Sequence, residues 1–262
     1  MIDRLWQIKE QDESEILQLS AQLNLPLAVV RVLVNRNLTT KEQIQDFLEP
    51  SGINLEDTVF FGDMKKAVDI INDAIAKDEY IAIYGDYDVD GVSSVSLLYL
   101  YLTKRSVRVT YYIPDRSDEG YGINPSALDK LKAEGVTLII TVDTGITAIE
   151  EVEYATSIGL KMIITDHHEC KETLPAALAV INPKATDELS FKEFAGVGVA
   201  FKLLCALEGN CSATLGEYCD IVAIGTIADV MPLINENRII VKAGLKKLNS
   251  SQIGRASCRE RV

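Results

Sequence analysis

The 262-residue chain has no apolar run approaching the ~20 residues of a membrane span, and its opening, MIDRLWQIKEQDESE, lacks the apolar stretch of a signal peptide. An uncleaved cytoplasmic protein with no membrane association is therefore expected. Its five cysteines (Cys170, Cys205, Cys211, Cys219 and Cys258) contain no CxxC pair, which argues against a thiolate zinc site or a disulfide framework. Basic residues are in deficit: 26 Lys and Arg stand against 39 Asp and Glu, for a formal charge of −13. A general nucleic-acid coat would be basic and is excluded. A nucleic-acid enzyme is not, because acids gathered to hold divalent cations count as negative charge until the cations arrive. Aromatic residues are sparse, and the single tryptophan, Trp6, reads as a packing residue. Histidine is limited to an adjacent pair, His167 and His168.

What the chain does have is a core: 47% of its residues are hydrophobic. Residues 1–62 read as a small helical segment. Ser14–Leu23, Pro26–Val34 and Lys41–Leu48 carry apolar residues at helical spacing, and Thr40 with Gln43 forms a capping-box signature. From residue 63 to 251, short apolar strands alternate with helices. Strands are expected at Tyr80–Tyr84, Val107–Ile113, Thr137–Val142, Met162–Thr165 and Ala177–Ile181. Helices are expected at Met64–Ala76, Val92–Lys104, Pro125–Ala133 and Ile146–Ile158, then at Ala200–Leu207, Leu215–Ala228 and Asn237–Leu248. This alternation predicts an α/β fold, a parallel β-sheet with helices on both faces. Residues 252–262 are out of character. Ile253–Val262, IGRASCRERV, back-translates to a sequencing-library adapter read in frame, so a non-native tail is expected and Cys258 carries no functional weight.

In an open parallel sheet, ligands bind outside the carboxyl ends of the strands. After YIAIY come Asp86, Asp88, Asp90 and Gly91; after TLIITV comes Asp143; after MIIT come Asp166, His167 and His168. Each taken alone has a plain reading as an N-cap or an incidental pair. The first run resembles a calcium loop, but Leu97 occupies the position of its bidentate Glu. Together, six or more carboxylates and imidazoles at one rim would repel unless cations bind. A mixed oxygen and imidazole shell suits Mn2+ or Mg2+.

YGDYDVDG, VDTGI and TDHH, in this order and spacing, resemble the DHH phosphoesterase family, and within it the RecJ-type single-stranded-DNA exonucleases. RSDEGYGIN, FAGVGVAFKL and IVAIGTIADVMPLINENR fit the same pattern. The resemblance implies two Mn2+ or Mg2+ ions, with Asp86, Asp88, Asp90, Asp143, His167 and Asp229 as metal ligands. It makes Asp143 a bridge between the ions, and Asp143, His167 and His168 the catalytic set. His168 and Arg116 would face substrate phosphate. Gly196 and Gly198 read as close helix packing rather than as a dinucleotide fingerprint.

The resemblance further implies 5′-to-3′ hydrolysis of phosphodiester bonds in single-stranded DNA, with roles in DNA recombination and repair. Single-strand-binding protein or helicase partners are implied on the same ground. DHH-associated and OB-type domains are expected in the family, and neither fits after Ser251. Two alternatives remain: a short-substrate DHH phosphodiesterase of the nanoRNase or cyclic-dinucleotide type, and a non-catalytic DNA-binding scaffold. The intact ligand set disfavours the scaffold. The helical N-terminal segment and the GDYDVDG form of the first motif disfavour the short-substrate enzyme.

Overall fold

Strands rich in Ile, Leu and Val, buried on both faces in β1, β3 and β4, organise the computed structural model, which describes residues 11–50, 55–115, 120 and 122–250. Five parallel strands form one sheet: β1 (Ile81–Gly85), β2 (Val109–Tyr112), β3 (Leu138–Val142), β4 (Lys161–Thr165) and β5 (Ala179–Ile181), in the order β2-β1-β3-β4-β5. Successive side chains point to opposite faces. Ile81, Ile83, Leu138, Ile140, Val142 and Ile163 enter one core layer. Ala82, Tyr84, Ile139, Met162 and Ile164 enter the other.

The chain divides into two compact units, Met1–Ile53 and Asn54–Val262. In the first, α1 (Glu13–Leu23), α2 (Leu27–Asn35) and α3 (Lys41–Leu48) surround a small core of Ile16, Leu19, Val30, Leu33 and Ile44. The expected capping box is present: Gln43 N–H donates to the Thr40 hydroxyl, and the Gln43 side chain accepts from the Thr40 amide. The boundary falls before Asn54 rather than after residue 62. Leu55, Val59 and Phe61 bury into the sheet's larger core layer, so this stretch belongs to the second unit.

In the second unit, α4 (Met64–Ala76), α5 (Val89–Lys104), α8 (Gly196–Glu208), α9 (Cys211–Ala228) and α10 (Asn235–Ser250) build the larger layer. Helices α6 (Pro125–Ala133) and α7 (Ile149–Ser157) cover the other face. Asn124 caps α6 as its sequence suggests, accepting from Ala127 N–H at 2.8 Å, with Pro125 in the first turn. Three helices start about a turn earlier than periodicity implies, among them α9, which begins at Cys211 because Asn210 caps it, accepting from Ala213 N–H at 2.9 Å. Helix α5 begins at Val89 because Asp88 caps it, accepting from Gly91 N–H at 2.9 Å, which draws Asp90 and Gly91 into the first turn. Helix α8 begins at Gly196 rather than at Ala200, so the two glycines read as helix packing are themselves helical. Helix α7 starts later than expected, because residues 143–148 form the loop that leaves β3. No single helix among the described residues is long and apolar enough to cross a membrane.

Candidate metal centre

β1 and β3 are neighbours, while the chain leaves β1 for β2 on the opposite side. Their carboxyl ends therefore form the switch point of the sheet, where the two chain directions open a crevice. Asp86 leaves β1 there, Asp143 leaves β3, and Asp166, His167 and His168 leave the adjacent β4. Asp229 comes from beyond the sheet, at the carboxyl end of α9.

The ligand atoms assemble in three overlapping groups: Asp86, Asp88 and Asp143; Asp143, His167 and His168; and Asp90, His167 and Asp229. Within each group they lie within 4.8 Å of one another. Asp143 and His167 each belong to two groups, which links the set into one cluster. His167 Nε2 stands 3.1 Å from Asp143 Oδ1, 3.7 Å from Asp229 Oδ2 and 3.9 Å from Asp90 Oδ2. Six of the sequence-derived positions thus meet at one edge, joined by His168. Arg116 lies outside the described residues.

Each carboxylate is placed by identifiable backbone chemistry. Asp143 adopts a left-handed conformation (φ 59°), which Asp tolerates better than most residues. Asp90 is 2% exposed, and its two oxygens accept from Gly196 N–H at 2.6 Å and Val197 N–H at 2.9 Å. The positive end of α8 therefore holds Asp90. Asp166 does different work from its neighbours. Its Oδ2 accepts from Ile146 N–H at 2.9 Å, and its Oδ1 accepts from His167 N–H at 2.7 Å and His168 N–H at 3.1 Å. The same Oδ1 lies 2.7 Å from His168 Nδ1. Its carboxylate is consumed in shaping the loop and orienting His168.

The electrostatics record how crowded the rim is. Burial, with the Asp143 charge adding to it, pushes Asp90 up to about 7. Burial and the carboxylates of Asp88, Asp166 and Asp86 push Asp143 up to about 8. Burial also raises Asp86, against the Tyr87 amide that donates to it, and raises Asp229, against His167. Burial opposes ionisation of Asp166 too, but the His168 ring and the surrounding amides hold it below the ordinary carboxylate value. The Asp166 hydrogen bond lifts His168 to about 9 against burial, so its imidazole is cationic at neutral pH.

These residues fit a divalent cation. Asp143 Oδ1 and Asp229 Oδ2 are buried without a hydrogen-bond partner; Asp143 Oδ1 lies near His167 Nε2 but is not aligned with it for a hydrogen bond. Asp229 also caps the carboxyl end of a helix, where the helix field disfavours an anion. Mutually destabilised carboxylates of this kind are compensated by a cation that accepts oxygen and imidazole ligands.

Close approach of two helices completes the wall. A Cβ at Gly196 would meet Asp143 Oδ1 and Cβ at 2.5 Å, and one at Gly225 would meet Val197 Cγ1 at 2.7 Å and Asp90 Oδ1 at 2.9 Å. Gly196→Ala is expected to cost about 1–3 kcal/mol of stability and to displace Asp143. Thermal melting and a Mn2+ titration check it; unchanged Mn2+ affinity would contradict the displacement. The packing role read for Gly196 is therefore present, but its N–H also holds Asp90, a contact that spacing could not reveal. A second addition comes from β5. Asn182 donates to His168 O at 3.0 Å and caps a 3₁₀ turn (Pro183–Ala185) that carries Lys184. Lys184 pairs with Glu169 at 2.8 Å and lies close enough to Asp229 to oppose its upward shift. Reading the residues after the fifth strand, as after the other three, would have found it.

An α/β domain with a carboxylate and imidazole cluster at the switch point of its sheet defines the class. The chain belongs to the DHH family: residues 80–226 match the DHH family, N-terminal domain. The single-stranded-DNA-specific exonuclease RecJ of Bacillus subtilis is 46% identical over 244 residues, 93% of this chain and 31% of that protein. RecJ of Escherichia coli is 35% identical over 260 residues, covering 94% of this chain and 44% of that protein. Among solved structures, RecJ from Thermus thermophilus in complex with Mn2+ superposes with a TM-score of 0.71 at 29% identity, covering 93% of this chain and 35% of that one. An exonuclease RecJ bound to manganese gives 0.68 at 35% identity, covering 74% and 50%. The chain thus spans less than half the length of these two curated relatives.

Proposed function

We propose that this chain carries the catalytic centre of a metal-dependent hydrolase that cleaves phosphodiester bonds in single-stranded DNA, proceeding 5′ to 3′, as the family resemblance implies. The observation that carries the reading is the chain of three ligand groups joined through Asp143 and His167 at the carboxyl edge of the sheet. The relatives' description as single-stranded-DNA-specific exonucleases, at 46% and 35% identity, supports the substrate. A cytoplasmic setting, single-strand-binding protein or helicase partners, and roles in recombination and repair belong to the same proposal.

Asp86, Asp88 and Asp143 would hold one divalent cation, and Asp90, His167 and Asp229 a second, with Asp143 bordering both. Two such ions, Mn2+ or Mg2+, supply charge neutralisation at the phosphoryl oxygens and lower the pKa of an attacking water. The protein's own groups do the rest. Asp90 keeps its position through the α8 amides, so the substrate's negative charge does not displace it. His168, held through Nδ1 by Asp166, presents the rest of its cationic, half-exposed ring to the phosphate. His168→Ala is expected to lower kcat/KM by about 10²–10³-fold, the scale for losing one preorganised charge-stabilising group, with Mn2+ binding retained. Loss of Mn2+ binding in that variant would make His168 a ligand instead.

The test of the whole reading is a product assay with Mn2+ on 5′-labelled single-stranded DNA, the matching duplex, a dinucleotide and a cyclic dinucleotide. Preferential release of mononucleotides from the single strand is expected. Turnover confined to the dinucleotides would favour the short-substrate reading, and binding of DNA without hydrolysis would favour the scaffold.

A further inference from the structure

Two irregular segments border the Asp90, His167 and Asp229 set. One enters α8, whose first amides hold Asp90; the other leaves Asp229 and runs to α10. Neither belongs to the sheet, so no ladder of backbone hydrogen bonds fixes them. Their spacing needs another cause, and one side chain touches both. Asn237, in the first turn of α10 and 1% exposed, donates from Nδ2 to Glu193 O at 2.6 Å and to Pro232 O at 3.1 Å. Glu193 stands just ahead of Gly196, and Pro232 just beyond Asp229.

We infer that Asn237 is a positioning residue for the metal centre: its single carboxamide ties the segment leaving Asp229 to the segment entering α8, and so sets the spacing of Asp229 from Asp90. The inference rests on the metal-site reading proposed above. Both partners are carbonyls, so only the amide nitrogen of Asn237 satisfies them, and its orientation is unambiguous. The post itself is anchored. Glu236, beside it, is ion-paired with fully buried Lys202 of α8. Lys202 also donates to the Thr58 hydroxyl at 2.6 Å, and that hydroxyl donates to Glu236 at 2.8 Å. The segment between Asp229 and Asn237 is held in a conformation it would not relax into: Val230 (φ 57°), a β-branched residue, is left-handed. Such strain persists only where surrounding contacts impose it.

A buried asparagine that merely satisfies two carbonyls would affect stability alone. The discriminating readout is therefore metal affinity. Asn237→Asp keeps size and shape but loses both donors. Isothermal titration of MnCl2 into this chain, the Asn237→Asp variant and a Leu128→Ala control compares them; Leu128 packs in the opposite core layer. Asn237→Asp is expected to weaken Mn2+ at one site by about 10–100-fold, the range for lost outer support of a ligand, while Leu128→Ala binds like the unaltered chain despite lower stability. Should Asn237→Asp fail to fold, Asn237→Ser, which keeps one donor, is expected to show a smaller loss at the same site. Unchanged Mn2+ affinity in whichever variant folds overturns the inference. Absence of Mn2+ binding by the unaltered chain overturns the metal-site reading, and this inference with it.

Discussion

Asp143→Asn is expected to cut kcat/KM for single-stranded DNA by at least about a thousandfold, more than the loss of one charge-stabilising donor, while leaving the metal-free fold intact. The asymmetry follows from where Asp143 sits. Its carboxylate belongs to the Asp86 and Asp88 group and lies 3.1 Å from His167 Nε2 of the other cation's group, so it is placed for the bridging role that the family resemblance implies. Its charge is a burden without the cations. The residue is 2% exposed, and burial with the surrounding carboxylates pushes it up to about 8. Asparagine matches its size, accepts its left-handed conformation and removes the charge. In metal-free buffer the variant should melt at or above the unaltered protein, with the advantage growing from about pH 4 to about pH 8 and level above that. Steady-state kinetics at saturating Mn2+ and thermal melting in EDTA check both halves. Near-normal hydrolysis would remove Asp143 from its bridging role; a large loss of metal-free stability would show that its charge supports the fold.

Without divalent metal, the protein is expected to lose stability as pH rises from 5 to 9. Asp90 and Asp143 are raised to about 7 and about 8 in the folded protein from an ordinary value of 3.8. Between those limits the folded state holds protons that the unfolded state releases, so rising pH favours unfolding. His168, raised from 6.5 to about 9, acts in the same direction: its contribution is complete below 6.5 and lost as pH rises through about 9. Asp166, lowered, contributes above its unfolded value and loses that contribution only in acid, so it does not oppose the trend. Divalent metal should reverse the profile, because it competes with protons for the same ligands. Two sites, each at a hundredfold excess of Mn2+ over its Kd, would add roughly 5 kcal/mol, or about 10–20 °C in Tm for a domain of this size. Calorimetry at pH 5, 7 and 9, with and without Mn2+, reads the effect. A metal-induced shift equal at pH 5 and pH 9 would contradict the assignment.

Much of this centre was legible because strands announce themselves. Apolar runs such as LIITV can only be buried, a parallel sheet aligns their carboxyl ends, and the residues that follow them must then share a rim. That logic placed Asp86, Asp143 and His167 from the sequence, and the family motifs added Asp229, which no strand carries. Helix α6 was read to the residue, since Asn124, Pro125 and the apolar stripe of Ala127, Leu128 and Leu131 agree. Where the reading fell short, the determining contacts were long-range. Helices α5 and α8 take in Gly91, Gly196 and Gly198, ahead of the starts expected at Val92 and Ala200, and glycine is needed there because neighbouring groups stand where a Cβ would be: Asp86 against Gly91, Asp143 against Gly196 and Phe194 against Gly198. The division of labour inside the DHH motif came from the family resemblance, which gave His167 to the metal and His168 to phosphate, and not from the residues themselves. Nothing local shows that Asp166 spends its charge on amides and His168 while its neighbour His167 faces the carboxylates. The role of Asn237 depends on two carbonyls distant in sequence from each other.

The central claim is that one rim holds two divalent cations. Anomalous diffraction at the manganese edge, from crystals grown with MnCl2, tests it most directly. Two peaks are expected, one among Asp86, Asp88 and Asp143 and the other among Asp90, His167 and Asp229. No peak at the rim, or manganese bound only elsewhere on the protein, would contradict it.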